Sequence, residues 1–266
     1  MTRISIPANG ATLSARIDGQ DGRPWLLLSN SLAADLTMWD DQITALTRTH
    51  RVIRYDTRGH GQSSAPEGPY DFPMLVADMA AVLDHVGADK ADVMGLSLGG
   101  MTALGLGLAQ PDRIGRMVVC DARADNPPPF VSGWDDRIAA IAAGGMEAIL
   151  EGTLSRWFSP TCPPGPRDRA AAMILATPVT GYTGCARALQ GLDYLRHLAR
   201  LPMPVLYVVG AEDLAAPPAA MQAMAEVTPQ GHLTQLPGLA HVPNMENPGL
   251  FNATTAPFLA QGGSAC

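Results

Sequence analysis

Ala91-Asp92-Val93-Met94-Gly95-Leu96-Ser97-Leu98-Gly99-Gly100-Met101-Thr102 joins an apolar run to a second, glycine-rich one through a G-x-S-x-G pentapeptide. The first run predicts a strand and the second, continuing through Leu108, a helix, which is the context in which such a serine is exposed as a nucleophile. The reason for the glycines is steric. A side chain at the tip of so sharp a turn sits in strained backbone, and small neighbours at positions 95 and 99 let strand and helix approach. The turn also puts Ser97 at a helix N-terminus, where free N–H groups and the helix dipole favour an oxyanion. Glycine-flanked serines occur in ordinary turns too, so the reading needs partners elsewhere in the chain.

Outward from this stretch, strands and helices alternate. Trp25-Leu26-Leu27-Leu28-Ser29 and Met117-Val118-Val119-Cys120 are short apolar runs of the kind that become strands covered on both faces, and His50-Arg51-Val52-Ile53-Arg54-Tyr55 reads as a strand between them. Between them, Trp39, Ile43 and Leu46, and then Leu75, Met79, Val82, Leu83 and Val86 within 73–86, recur at helical spacing. Near the start, strands over Arg3 to Ile6 and Thr12 to Ile17 flank Asn9-Gly10, a hairpin signal. This pattern predicts an α/β fold with a mostly parallel central sheet and helices on both faces.

The alternation stops after Asp121. Residues 122–200 contain Pro127-Pro128-Pro129 and Pro163-Pro164-Gly165-Pro166 among alanine-rich stretches, and no strand pattern. They are expected to form a helical cap, with helices over 132–143, 146–157, 167–176 and 183–189, inserted into a core of 1–121 and 201–266. Strands resume at Val205 to Val209 and at His232 to Leu236, with helices over 217–226 and 248–259, the last capped by Asn247 with Pro248 at its first position. The tail 261–266 is expected to fray.

Composition bounds the partners. The 266 residues are 47% apolar and 16% charged, with a formal net charge of −7. That describes a globular chain, and without a Lys/Arg cluster nucleic acid is not an expected partner. No signal peptide or membrane-length apolar run is evident, so a cytoplasmic protein is expected, with no membrane partner. Cys120, Cys162, Cys185 and Cys266 have no metal-type spacing and read as reduced thiols, and neither metal nor organic cofactor is expected.

A serine hydroxyl needs a base, and the base needs a carboxylate to hold its tautomer. Both must lie at strand C-termini, because only loops on that sheet edge converge on one crevice. His241 follows the last strand through Gly238-Leu239-Ala240, and Asp213 follows the strand ending at Val209. Asp121, after the strand ending at Cys120, is a second candidate for the acid. His60 reads as a loop residue satisfied by backbone, and His50, His85, His197 and His232 as surface or strand residues. For the oxyanion, Leu98 N–H supplies one donor and the loop after Ser29 the other, with Leu32 favoured and Ser31 its neighbour. Ser31, Phe130, Trp134, Met146 and Trp157 are candidates to line the pocket, the last four equally readable as cap core. Arg123, Arg137, Arg156, Arg187 and Arg196 could receive an anionic substrate or be solvated.

These residues resemble a family. Nearly the whole chain is similar to the α/β-hydrolases. Leu28-Ser29-Asn30-Ser31-Leu32, Met38-Trp39, Arg54-Tyr55-Asp56-Thr57-Arg58-Gly59-His60-Gly61, Gly68-Pro69-Tyr70, Arg156-Trp157-Phe158 and Asp213-Leu214-Ala215-Ala216-Pro217 are similar to the 3-oxoadipate enol-lactonase branch. The resemblance implies hydrolysis of an enol-lactone ring in aromatic catabolism, without metal or organic cofactor. Cys120 to Asp125 and the Pro243 stretch depart from that branch, the latter toward general esterases. The readings left open are therefore a carboxylesterase for small acyl esters, a lactonase for another ring, a perhydrolase side activity, and a ligand sensor retaining the pocket.

Overall fold

The computed structural model describes residues 2–261. An eight-stranded sheet runs in the order β1-β2-β4-β3-β5-β6-β7-β8. Its strands are β1 (Thr2–Ala8), β2 (Ala11–Asp18), β3 (Trp25–Ser29), β4 (Arg51–Tyr55), β5 (Ala91–Leu96), β6 (Ile114–Cys120), β7 (Val205–Gly210) and β8 (Gly231–Leu236). The hairpin expected around Asn9-Gly10 forms the antiparallel edge, and β2 runs antiparallel to β4. All pairings from β4 to β8 are parallel. Every residue of β5 and of β7 is buried, Asp92 of β5 included, as expected for strands with helices on both faces.

The helices are α1 (Asp40–Leu46), α2 (Phe72–His85), α3 (Leu98–Ala109), α4 (Pro128–Gly144), α5 (Leu150–Trp157), α6 (Pro164–Ala176), α7 (Val179–Gln190), α8 (Pro218–Val227), α9 (Pro243–Glu246) and α10 (Pro248–Ala260). The Asn247 side chain accepts from Leu250 N at 3.1 Å, capping α10 as its sequence predicts. No described helix is long and apolar enough to cross a membrane. The expected fraying over 262–266, and Cys266 with it, lies outside the described residues; Cys120, Cys162 and Cys185 are free thiols.

Between β6 and β7 the chain forms helices joined by loops and no strand, but the helix boundaries differ from expectation. α4 and α6 begin at Pro128 and Pro164, because a proline in the first turn gives up an N–H that has no helical partner anyway. α7 starts at Val179, four residues before its expected start. Met146 to Ile149 form a 3₁₀ turn ahead of α5 rather than its first α turn. α7 lies on the 56–61 loop through bare backbone: a Cβ on Gly59 would sit 2.2 Å from Gly181 Cα, and one on Gly181 2.1 Å from Gly59 O.

Candidate active site

The β5–α3 turn is as tight as its sequence requires. Ser97 adopts φ 54° and ψ −117°, a conformation that costs a non-glycine residue about 1–3 kcal/mol and persists only where the surroundings impose it. What imposes it is close packing. A Cβ on Gly95 would fall 2.2 Å from Gly99 O, and one on Gly99 2.2 Å from Ser29 O, so strand, helix and the β3 loop meet at backbone distance. Ser97 N donates to Cys120 O at 2.8 Å, tying the turn to the end of β6. Leu98 opens α3, so its N–H belongs to the helix's unpartnered first turn.

Asp213 and His241 sit after β7 and β8 and are both buried, at 2% and 4% exposure. His241 Nδ1 lies 2.8 Å from Asp213 Oδ2. The other carboxylate oxygen, Oδ1, accepts from Ala215 N at 2.7 Å and Ala216 N at 3.0 Å. Burial pushes this carboxyl up, but the His241 charge and these hydrogen bonds outweigh burial and hold it below the usual carboxylate range. The histidine loop is anchored by Glu246, whose carboxylate accepts from Ala240 N at 3.0 Å and, across to the segment after α5, from Ser159 N at 3.0 Å. Val242 N donates to Trp157 O at 3.2 Å, a second tie between this loop and α5.

Ser97, His241, Ser31, Leu32 and Ala33 all line one cavity of about 440 Å³ under α4, α5 and α7. Phe130, Trp134 and Trp157 form part of its wall, with Met101, Tyr182, Leu189 and Leu214. Sequence reasoning gave no signal for these last four, because each reads as an ordinary apolar or aromatic core position. Leu214, next to Asp213, is 77% exposed and stands at the cavity's edge. Met146 does not line the cavity: the turn after Gly145 sends it into the apolar core, where it is 4% exposed.

Of the five candidate arginines, Arg137 and Arg156 reach the cavity. Arg123, Arg187 and Arg196 pair instead with Asp125, Asp135 and Asp193. Arg137 is held by neutral groups, its Nε donating to Tyr182 Oη at 2.9 Å and its Nη2 to Thr153 Oγ1 at 2.8 Å, with Trp134 5.2 Å from its guanidinium. Among the described residues, neither Arg137 nor Arg156 makes an ion pair. Burial and the Arg137 charge push Arg156 below its usual range. The lining carboxylate, Asp136, is exposed.

Asp121 is fully buried and closes up on the same pair: an oxygen of Asp121, an oxygen of Asp213 and a ring nitrogen of His241 lie within 4.8 Å of one another. This is a grouping with metal-ligand distances among the described residues, but Asp213 already accepts three hydrogen bonds and His241 faces it directly. His60 is buried away from the cavity with Nδ1 3.1 Å from Arg58 O, the local backbone contact its loop implies. His50 is buried rather than superficial, its Nε2 3.1 Å from Asp92 and its Nδ1 2.8 Å from Thr49 Oγ1.

A family model for the alpha/beta hydrolase fold matches residues 24–248. The chain belongs to the α/β-hydrolase family. It is 33% identical over 251 residues to 3-oxoadipate enol-lactonase 2 of Acinetobacter baylyi, covering 93% of each chain. Among solved structures, the enol-lactonase of Burkholderia xenovorans LB400 superposes with a TM-score of 0.92 at 34% identity, over 96% of this chain and 99% of that one. A thermophilic esterase from Thermogutta terrifontis gives a TM-score of 0.92 at 27% identity, over 99% and 100%. The expected fold and the resemblance to the enol-lactonase branch both hold, and this α/β-hydrolase is an ester or lactone hydrolase at the level its relatives share.

Proposed function

We propose that this α/β-hydrolase opens a small enol-lactone that carries a carboxylate, through a Ser97-His241-Asp213 triad. His241 Nε2 takes the proton as Ser97 Oγ attacks the lactone carbonyl, and Asp213 holds Nδ1–H and offsets the imidazolium charge. The N–H groups of Leu98 and Leu32 receive the tetrahedral oxyanion, the first with the support of the α3 dipole. Collapse breaks the ring C–O bond, and His241 returns its proton to the departing oxygen, which leaves an acyl-Ser97. Water then attacks with His241 again as base, freeing Ser97 and the ring-opened acid. Residues 122–200 act as a cap in this reading, closing the cavity and setting what enters.

The observation that carries the substrate class is the pair of unpaired cations, Arg137 and Arg156, in the cavity that Ser97 lines. Two neighbouring guanidiniums half out of water repel each other, and a substrate carboxylate between them relieves that repulsion while forming charge-assisted hydrogen bonds. Similarity to proteins named 3-oxoadipate enol-lactonase, and to a solved enol-lactonase, supports the same class. The esterase reading remains the second one, favoured by the apolar wall of Phe130, Trp134 and Trp157. A panel of kcat/KM values decides. The enol-lactone of 3-oxoadipate should be preferred over p-nitrophenyl acetate and homoserine lactones by about tenfold or more. An equal preference for neutral esters would sink the assignment, and absence of both turnover and fluorophosphonate labelling would leave a binding protein.

A further inference from the structure

Asp121 is a carboxyl without an evident job. Its backbone adopts φ 46°, outside the comfortable region for a side-chain-bearing residue, and Asp121 N is fixed to Val208 O at 2.9 Å. This places the side chain at 0% exposure behind the Asp213–His241 pair rather than in the cavity. Its Oδ1 accepts from Gly210 N at 2.8 Å. Its Oδ2 is buried with no hydrogen-bond partner. A carboxylate oxygen left so is costly, whereas an acid O–H there is a donor in need of an acceptor, and the Asp213 carboxylate is beside it.

Two carboxyls this close in a dry site do not both ionise. The charge goes where donors are: Asp213 has three, two amides and His241, and Asp121 has one. The groups facing Asp121 from each packed element add to the same outcome. They are Cys120 on β6, whose thiol burial keeps neutral, Asp213 after β7, His241 after β8 and Glu246 on α9. Burial first, then the Asp213 charge, push Asp121 well above the carboxylate range.

We propose that Asp121 is a positioning residue: it stays a neutral acid, donates Oδ2–H to the Asp213 carboxylate, and so fixes that carboxylate in register with His241. The proposal rests on the triad reading. It differs from a role for Asp121 as the charged acid of the triad, in which Asp121 itself would carry the negative charge. Asp121 touches no substrate and acts only through Asp213.

The test separates the two. The wild-type minus Asp121→Asn infrared difference spectrum at about pH 7 should contain the carbonyl band of a protonated carboxylic acid. Asn keeps both an acceptor for Gly210 N and a donor toward Asp213, so Asp121→Asn should retain kcat/KM within about threefold, with its acid limb unmoved. Asp121→Leu, which has no donor, should lower kcat on the order of tenfold at little cost in KM and move the acid limb upward, as Asp213 binds the imidazolium harder. An absent acid band, or an acid limb that falls by about one unit in Asp121→Asn, overturns the proposal, because either means an ionised Asp121. Should the leucine variant not fold, the infrared and asparagine measurements still decide. Failure of the triad reading is seen separately, as fluorophosphonate labelling that survives Ser97→Ala.

Discussion

His241 Nδ1 and Asp213 Oδ2, 28 residues apart in sequence, lie 2.8 Å from each other with both side chains out of water. The arrangement is possible because β7 and β8 are adjacent and parallel, so their C-terminal loops leave the sheet side by side. Two further amide donors, Ala215 N and Ala216 N, fix the Asp213 carboxylate that faces the ring, and His241 lines the cavity.

Replacing Asp213 by Asn keeps the shape of this contact and reverses its polarity, stabilising the wrong imidazole tautomer. Asp213→Asn should lower kcat by about 10³ to 10⁴ at neutral pH with KM changed far less. Steady-state kinetics on the best substrate of the panel measure this; a loss under tenfold would remove Asp213 from the triad.

Ser97→Ala should abolish turnover and fluorophosphonate labelling together, with residual kcat below about 10⁻⁴ of wild type. Because the strained backbone is imposed by its neighbours, the variant should remain folded, with a thermal midpoint within a few degrees of wild type. Labelling mass spectrometry and a melting curve check both halves.

Arg137→Met and Arg156→Met keep much of each side chain's volume and remove its charge. Each should weaken a carboxylate-bearing lactone by about 10- to 100-fold in kcat/KM, the worth of a charge-assisted hydrogen bond in a partly buried site. The same variants should change kcat/KM for p-nitrophenyl acetate by no more than about threefold. A uniform loss on both substrates would mean that the arginines support the cap and do not read the substrate.

Stability should carry an acid signature from His60. Burial pushes this imidazole down to about 4, against about 6.5 in an unfolded chain. Between those values the unfolded chain binds a proton that the folded one refuses. The stabilisation is therefore complete above about pH 6.5 and is lost as pH falls toward 4, by up to about 3 kcal/mol. Urea unfolding across this range should show a shallower slope in His60→Asn, which retains a donor for Arg58 O.

Gly99→Ala should fail where Ser97→Ala succeeds. Its Cβ would fall 2.2 Å from Ser29 O, a backbone atom of β3 that has no room to yield. A loss of about 3 kcal/mol or more is expected, read as a lower urea midpoint or as loss of soluble protein.

Much of this was legible in the chain itself, for reasons that differ from element to element. The strands could be read because β7 and, from Val93, β5 run without a charged residue, which a parallel sheet buried on both faces favours. Ser97 was legible because its constraint is local: glycines two residues to each side announce the clash they avoid. That Asp213 and His241 would meet followed from their places after neighbouring strands. The start of α4 was not, since Pro127-Pro128-Pro129 signals a break and equally a first turn. Nor could the five arginines be sorted, because what frees Arg137 and Arg156 is that no carboxylate among the described residues pairs with them, a property of folded distance. That neither Met146 nor Asp121 lines the cavity was hidden for the same reason: each follows from the folded backbone, with φ near +68° at Gly145 and 46° at Asp121.

The contact between Gly59 and Gly181 has a consequence for how this molecule can be rebuilt. The helical segment between β6 and β7 is bolted to the 56–61 loop where two backbones meet with no space for even a methyl group, so it is not an exchangeable module on free hinges. A chimaera that borrows α4 to α7 from a relative will seat only if the donor helix brings glycine to that crossing. Substitutions along the cavity wall, by contrast, leave this crossing untouched.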